Sequence, residues 1–229
     1  MKICGLQKLT LLDFPGRLAC TVFLGGCNFK CPYCYNTSLI DASRAKTLIN
    51  EEDFLSFLDS RKGKLQGVAI TGGEHLLNPD IRNFILKIRE RGFLVKLDTN
   101  GSFPERLEAL IDEGLVDYVA MDIKNVYGKY SITVGANVNL EKIKQSIDIL
   151  LSNKVDYEFR TTVIKEFHDI EDFNVIGKMI KGTKNYFIQN FQDKDSVFGH
   201  FNPLTHEELE QCLEVVKQYI PNAKLRGID

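Results

Sequence analysis

Three closely spaced cysteines are the residues of this chain best suited to chemistry. Cys27, Cys31 and Cys34 form a C-x3-C-x2-C run directly after the apolar segment 21–24. Three thiolates can hold a metal centre while leaving one coordination position without a protein ligand, which a reaction needs and a purely structural site avoids. The spacing therefore predicts a reactive metal centre in this loop.

Zinc and an iron–sulfur cluster are the two kinds of centre that suit three thiolates. Structural zinc takes a fourth ligand, usually from a second Cys/His pair, and no such pair follows within the usual distance. The four histidines are scattered along the chain, at positions 75, 168, 200 and 206. A four-iron cluster held by three cysteines leaves one iron open to another ligand, so the pattern favours a [4Fe–4S] cluster over zinc.

Length and charge set wide limits on the protein class. The 229 residues are enough for one substantial core, and 29 basic against 31 acidic side chains give a net charge of -2. That balance gives no reason to expect binding to nucleic acid or to an anionic membrane. The sequence has no apolar run of transmembrane length and no signal-peptide pattern, so we expect a cytoplasmic protein. Disulfides are rare there, and six cysteines suggest metal or redox chemistry instead.

The rest of the chain alternates short apolar runs with helical patterns. Strands are predicted at Ala19–Leu24, Gly67–Thr71, Phe93–Asp98, Val116–Asp122, Tyr157–Ile164 and Asn185–Gln189. The main helix signals are a start at Asn78-Pro79, a start at Pro104, an apolar stripe over 140–151, a capping box over 205–208 and an end at Pro221. Such alternation implies a parallel sheet with right-handed crossovers. Six units are too few for a closed eight-stranded barrel, which leaves an open doubly wound sheet or a partial barrel.

Polar residues decide between these two folds. Three strands carry polar side chains on one face, crowded toward their carboxyl ends: Lys96, Asp98 and Asn100; Asp122 and Lys124, on the face of Ala120; Glu158, Arg160 and Thr162. A strand buried on both faces would be almost continuously apolar. These faces therefore predict a wet cavity at the mouth of a curved sheet, with Lys96 and Glu158 in ion pairs that fill the barrel interior.

The cysteine loop, with Tyr33 before its last cysteine, resembles the signature of radical S-adenosylmethionine (SAM) enzymes. Four later segments resemble this family's cofactor contacts, in the same order along the chain: Gly72-Gly73-Glu74, Asp98-Thr99-Asn100, Asp122 to Lys124, and Arg160 with Thr162. The resemblance implies an α/β fold, a partial (β/α)6 TIM-like barrel forming one radical SAM core domain over 1–229 with a short N-terminal extension.

The same resemblance assigns roles to these residues. Cys27, Cys31 and Cys34 would ligate the cluster. The others would contact SAM: Tyr33, Gly72, Gly73, Glu74, Asp98, Thr99, Asn100, Asp122, Lys124, Arg160 and Thr162. Glu74 would accept from the SAM amino group, and Arg160 would face its carboxylate. In related activases the region of Asp98, Thr99 and Asp122 also holds a monovalent cation. No side-chain acid or base is required, because cluster and SAM carry the chemistry.

One branch of the family matches nearly the whole chain. The segments 11–16, 23–28, 97–101, 116–124 and 159–163 resemble the anaerobic ribonucleoside-triphosphate reductase activating proteins, which are glycyl-radical-enzyme activases. The resemblance implies that a reduced cluster cleaves SAM to methionine and a 5′-deoxyadenosyl radical, which removes a hydrogen atom from a glycine of a partner reductase. A flavodoxin- or ferredoxin-type protein would supply the electron.

Two positions depart from the branch, and three alternatives stay open. Tyr35 follows the last cysteine where these activases commonly have His, and His75 follows Glu74 where Pro is usual. The alternatives are a pyruvate formate-lyase activase, a small-molecule enzyme similar to 7-carboxy-7-deazaguanine synthase, and a non-enzymatic metal-binding module. The last would not bind SAM, and it would unfold on chelation.

Overall fold

One eight-stranded sheet organises the chain in its computed structural model, which describes residues 1–41, 48–193 and 199–227. The strands are β1 Ile3–Thr10, β2 Ala19–Leu24, β3 Gly67–Gly72, β4 Leu94–Thr99, β5 Tyr118–Asp122, β6 Asp156–Val163, β7 Tyr186–Asn190 and β8 Lys224–Arg226. They lie in chain order; β1 is antiparallel to β2, and each later strand is parallel to the one before it. Their carboxyl ends, from β2 onward, therefore meet at one edge.

The six predicted strands are confirmed, with ends that differ by at most two residues, and so is the partial barrel. Two strands, β1 and β8, were not predicted. Most of β1 is exposed or half-exposed and shows no clean alternation, and β8 has only three residues. Neither strand gives the apolar run or the alternation from which a strand is inferred.

Helices cover the outside of the sheet, as the alternating pattern predicts. They are α1 Thr37–Ile40, α2 Glu51–Asp59, α3 Ile81–Arg89, α4 Pro104–Asp112, α5 Tyr130–Val134, α6 Leu140–Leu151, α7 Ile170–Met179 and α8 His206–Lys217. The start at Pro104 and the capping box of Thr205 with Glu208 are confirmed. The predicted start at Asn78 is wrong: its side chain accepts from the amide of Asp80, and α3 begins three residues later. The end at Pro221 is also wrong, because α8 stops at Lys217.

The barrel interior contains both apolar and charged residues. At the amino ends of the strands, the buried ring of Phe14 packs 6.3 Å from that of Tyr118. The two interior ion pairs expected from the sequence are present: Lys96 binds Asp98, and Glu158 takes Arg226 of β8 at 2.7 Å. These side chains fill the barrel interior toward the amino ends of the strands. The carboxyl ends of the strands remain available for a functional site.

Within residues 1–41, 48–193 and 199–227, no helix is both long enough and apolar enough to cross a membrane.

Candidate active site

One cavity of about 260 Å³ lies between the cysteine loop and the carboxyl ends of the strands. It is lined by every cofactor- and metal-binding residue that the sequence predicts: Cys27, Cys31, Cys34, Tyr33, Gly72, Gly73, Glu74, Asp98, Thr99, Asn100, Asp122, Lys124, Arg160 and Thr162. Phe29, Tyr35, Asn36, Thr71 and Gln189 complete the lining. Thr71 and Gln189 lie near the carboxyl ends of β3 and β7. They occupy the same kind of position, at the carboxyl end of a strand, as the polar residues predicted from the sequence.

Backbone hydrogen bonds hold the cysteine loop on two sides. The amide of Cys27 donates to the carbonyl of Ile40 in α1 at 3.1 Å, and the amide of Lys30 donates to that of Val134 in α5 at 2.9 Å. Gly135 then ends α5 with φ +61°, and a Cβ there would lie 2.6 Å from the Lys30 carbonyl oxygen. Glycine is required at this position by both the positive φ and the close approach.

Side chains tie the same loop to the end of β4. Asn28 accepts from the side-chain amide of Asn100 at 3.0 Å and donates to the hydroxyl of Ser102 at 3.0 Å. Asn28 and Ser102 were not among the predicted site residues. The cysteine loop is thus held against the strand end that bears the predicted SAM contacts.

The three cysteine thiols are largely buried and hold their protons at neutral pH, so a metal that binds them must displace those protons. Burial raises the pKa of Cys27 to about 12 and that of Cys31 to about 11, and it raises the pKa of Cys34 as well. Backbone amides of Phe29 and Asn36 point at the sulfurs of Cys27 and Cys34, at 3.4 and 3.3 Å, and favour their thiolates.

The three thiols line one cavity without converging on a single point. Each iron of a cluster takes its own thiolate, so the ligands surround a volume and do not converge on one point. In the described part of the chain, no three His, Cys, Asp or Glu side chains are grouped to hold one metal ion. All three cysteines nevertheless line the same cavity, as three ligands of one cluster must.

Two glycines bring the end of β3 against the cysteine loop. The amide of Glu74 donates to the carbonyl of Gly26 at 2.8 Å, and that of Gly73 donates to Leu24 at 2.8 Å. A Cβ on Gly73 would lie 2.0 Å from the Gly26 oxygen, and Gly72 has φ +112°. The sequence suggested glycine here for close approach to SAM; the structure adds a close approach of two backbones.

Glu74 is buried in this junction, with 2% of its surface exposed. Its carboxylate accepts from the hydroxyl of Thr99 at 3.0 Å, from the amide of Asn100 at 2.6 Å and from that of Leu76 at 3.2 Å. Burial raises the pKa of Glu74 to about 7 although these donors oppose the shift. The carboxyl therefore exchanges its proton near neutral pH.

Two aspartates share one arginine on the inner face of the barrel. Arg160 Nε donates to Asp122 Oδ1 at 2.9 Å, and Arg160 Nη1 lies 3.4 Å from Asp98 Oδ2. Lys124 Nζ donates to the other oxygen of Asp122 at 2.9 Å, and Lys96 pairs with Asp98. Each carboxylate thus faces two cations, which fix its position.

These cations keep both carboxylates ionised. Burial by itself would raise the pKa of Asp98, but the charges of Arg160 and Lys96 outweigh it and hold that pKa well below its usual range. The pKa of Asp122 is lowered in the same way, by Arg160 and Lys124 against the effect of burial. The cavity therefore presents fixed charges of both signs, which suits a ligand that carries an amine, a carboxylate and a sulfonium.

His75 does not face the cavity. It is buried, and its Nε2 donates to the backbone carbonyl of Asp98, so the ring supports the end of β4. Burial lowers the pKa of His75 to about 4, and the ring is neutral. The replacement of the usual proline thus provides a hydrogen bond between two strand ends and adds no group to the cavity wall.

Tyr35, the other departure from the family pattern, joins the cysteine loop to the end of β7. Its hydroxyl accepts from the amide of Gln192 at 2.7 Å, and its ring stacks on Phe191, with centroids 5.7 Å apart. On the other side of Cys34, the ring of Tyr33 lies 5.9 Å from that of Phe167. Cys34 therefore lies between two aromatic residues that are held by the loops after β6 and β7.

Loss of the Tyr35 hydroxyl will make the cluster easier to remove. We expect Tyr35→Phe to speed iron release to a chelator about fivefold, because the hydrogen bond from the Gln192 amide after β7 is lost. Tyr35→Ala, which also loses the stacking, will show about tenfold or more. The measurement is the anaerobic loss of cluster absorbance. Tyr219→Phe, which removes a remote hydroxyl bound to Asn174, is the control and will leave the rate unchanged. Equal rates in all four proteins would contradict the prediction.

This fold and this site define a radical SAM protein. The chain belongs to the Radical SAM superfamily, whose sequence profile matches residues 21–176. Membership implies a [4Fe–4S] cluster and SAM. The residues of the cavity fit both groups: three free thiols are suited to the cluster, and fixed charges of both signs are suited to SAM.

Individual relatives narrow the class. The chain is 36% identical to a candidate glycyl-radical enzyme activating enzyme of Methanocaldococcus jannaschii, over 99% of this chain and 96% of that protein. It is 33% identical to the pyruvate formate-lyase-activating enzyme of Clostridium pasteurianum, over 55% of this chain and 53% of that one. Among solved structures, a radical SAM methyltransferase from Sphaerobacter thermophilus matches 95% of this chain and 68% of its own, with a TM-score of 0.74 at 15% identity. That likeness shows the fold alone.

Proposed function

We propose that this protein is the activase of an anaerobic ribonucleoside-triphosphate reductase, on which it generates a glycyl radical. The observation that carries the proposal is the likeness along nearly the whole chain to a candidate glycyl-radical enzyme activating enzyme. The choice of the reductase as partner rests on the segments 11–16, 23–28 and 159–163, which resemble that branch. We place the activity in the cytoplasm, in a single domain over 1–229.

The proposed assignment gives each wall of the cavity a task. Cys27, Cys31 and Cys34 would hold three irons, and the space next to Glu74 and Arg160 would hold SAM. A reduced cluster held by these thiolates would supply the single electron that cleaves SAM, and transfer of a hydrogen atom from a glycine Cα of the partner would leave methionine, 5′-deoxyadenosine and the glycyl radical. The protein's own residues bind, orient and shield these groups.

Arg160 is suited to the SAM carboxylate although it already binds two aspartates. A guanidinium has five N–H donors, and the contacts to Asp98 and Asp122 use Nε and Nη1, so Nη2 has capacity left. The same aspartates, with Thr99, would provide the oxygen ligands of a monovalent cation. Lys124, which pairs with Asp122, and Asn100, whose amide is bonded to Asn28, would turn their remaining donors to the hydroxyl groups of the ribose.

Measured about one pH unit above the Glu74 pKa of about 7, where most of the carboxyl is ionised, Glu74→Gln will weaken SAM binding about tenfold, because a charged acceptor for the SAM amino group is lost. The dissociation constant of the reconstituted protein for SAM measures this. Glu105→Gln, which changes an exposed carboxylate paired with Lys142 on α6, is the matched control and will bind SAM normally. Unchanged affinity in Glu74→Gln would remove Glu74 from the SAM contacts.

The proposal is tested by offering the protein two glycyl-radical enzymes. With cluster, SAM and dithionite present, we expect a glycyl radical signal in electron paramagnetic resonance from the reductase and none from pyruvate formate-lyase. The reverse result would transfer the proposal to the second relative's activity. No radical on either protein, with rapid 5′-deoxyadenosine formation in the presence of a small molecule, would make this a small-molecule enzyme.

A further inference from the structure

A second cavity shares a wall with the active site. This outer groove has a volume of about 970 Å³ and lies on the side of the cysteine loop that faces α1 and the segment after β3. Cys27 and Glu74 line both cavities, and Cys27 is the only one of the three predicted ligands that also lines the outer groove. A protein seated in the groove would therefore lie next to a cluster ligand without entering the SAM cavity.

The wall of the outer groove next to Cys27 is formed by backbone. Gly25 and Gly26 precede the cysteine and both line the groove, so the chain leading to the thiol carries no side chain. Gly26 has φ +103°, a conformation that favours glycine, and its amide donates to Leu39 of α1 at 2.7 Å. This wall is thus thin and firmly held.

Charge on the groove favours an acidic partner. Lys2 and Lys30 are exposed at its rim, and Asp41 is the only exposed acid among its described lining residues. Glu74 also lines the groove, but its carboxylate is buried against Thr99 and Asn100. Leu77 supplies an apolar surface that is 40% exposed.

Positive charge also lies behind that apolar surface. The guanidinium of Arg106 donates to the carbonyl of Leu77 at 2.9 Å. The groove therefore combines an apolar centre, a net basic rim and a cluster ligand in its wall.

Two other sides of the cysteine loop face the inner cavity and a set of aromatic rings. The inner cavity would be filled by SAM, and near Cys34 the rings of Tyr33 and Tyr35 pack on Phe167 and Phe191. In the part of the chain that the structure describes, the Cys27 wall faces a groove that SAM in the inner cavity would not fill.

Building on the proposed function, we propose that this outer groove is the docking surface for an acidic one-electron carrier protein of the flavodoxin or ferredoxin type. One electron leaves the reduced carrier and enters the cluster past Cys27. Electron-transfer complexes are small and depend on complementary charge for their association rate, and the lysines at the rim supply this.

The test reverses the charge of the groove. The double variant Lys2→Glu/Lys30→Glu is compared with Lys181→Glu/Lys184→Glu, which makes the same change in net charge on the exposed turn before β7. Each protein, carrying its cluster, is mixed with a reduced acidic flavodoxin, and cluster reduction is followed by absorbance and electron paramagnetic resonance. We expect the rate constant of the groove variant to fall at least tenfold at low ionic strength. Salt will slow the native protein strongly and the variant little.

Three results would overturn the docking proposal: an unchanged rate in the groove variant, an equal fall in the control variant, or an equal fall when dithionite replaces flavodoxin. A groove variant that accepts electrons normally but no longer activates its partner would instead assign this surface to the glycyl-radical enzyme. Cluster reduction needs neither SAM cleavage nor the glycyl-radical enzyme, so failure of this test and failure of the proposed function are separate outcomes.

Discussion

Replacing Cys27, Cys31 or Cys34 by alanine will abolish 5′-deoxyadenosine formation from SAM. Each thiol lines the cavity, and with three ligands the cluster has none to spare. We expect activity to fall by at least about a thousandfold, because the electron comes only from the cluster. The measurement is 5′-deoxyadenosine formed anaerobically with dithionite, together with the iron and sulfide content of each variant.

Cys4→Ala is the control for these variants. Cys4 is half-exposed on β1 and does not line the cavity. Its variant will hold the cluster and cleave SAM as the native protein does. Cleavage that persists in all three loop variants would refute the assignment of the cluster ligands.

Gly73→Ala will produce the second large loss. The new Cβ would stand 2.0 Å from the carbonyl oxygen of Gly26, so the two backbones must separate by about 1 Å to reach even 3.0 Å. Overpacking of this kind costs about 1–3 kcal/mol of unfolding free energy. The shift also moves the cysteine loop relative to the SAM contacts, and a misplacement of about 1 Å can lower a rate about a hundredfold. Denaturant unfolding and 5′-deoxyadenosine formation measure the two effects.

Gly128→Ala is the matched change for Gly73→Ala. A Cβ at position 128 meets nothing within 4 Å, so this variant will keep its stability and its activity. If Gly73→Ala behaves in the same way, the close junction between the end of β3 and the cysteine loop does not govern the site.

The position of the cavity could be predicted because strand ends and polar residues obey a simple rule. In a parallel sheet the carboxyl ends lie along one edge, so Asp98, Asp122 and Arg160 had to meet, although β4 and β6 are far apart in sequence. The cysteines could be placed for the same reason, because their loop directly follows β2. Which ligand each residue contacts is a separate matter and stays a prediction.

Other features depend on pairs that sequence patterns do not reveal. Arg226 of β8 closes the barrel interior by binding Glu158, but a three-residue strand gives no periodic signal. The hydroxyl of Tyr35 accepts a hydrogen bond from the amide of Gln192, which is 157 positions away in the sequence. The direction of the His75 ring likewise follows from its buried surroundings, since the sequence could only place an imidazole near the site.

The most direct test of the central claim follows one hydrogen atom. The reductase is prepared with glycine that carries deuterium at Cα, and it is incubated anaerobically with the reconstituted activase, SAM and dithionite. The account predicts that deuterium appears in 5′-deoxyadenosine while a glycyl radical forms on the reductase. Unlabelled 5′-deoxyadenosine and a reductase without a radical would contradict it.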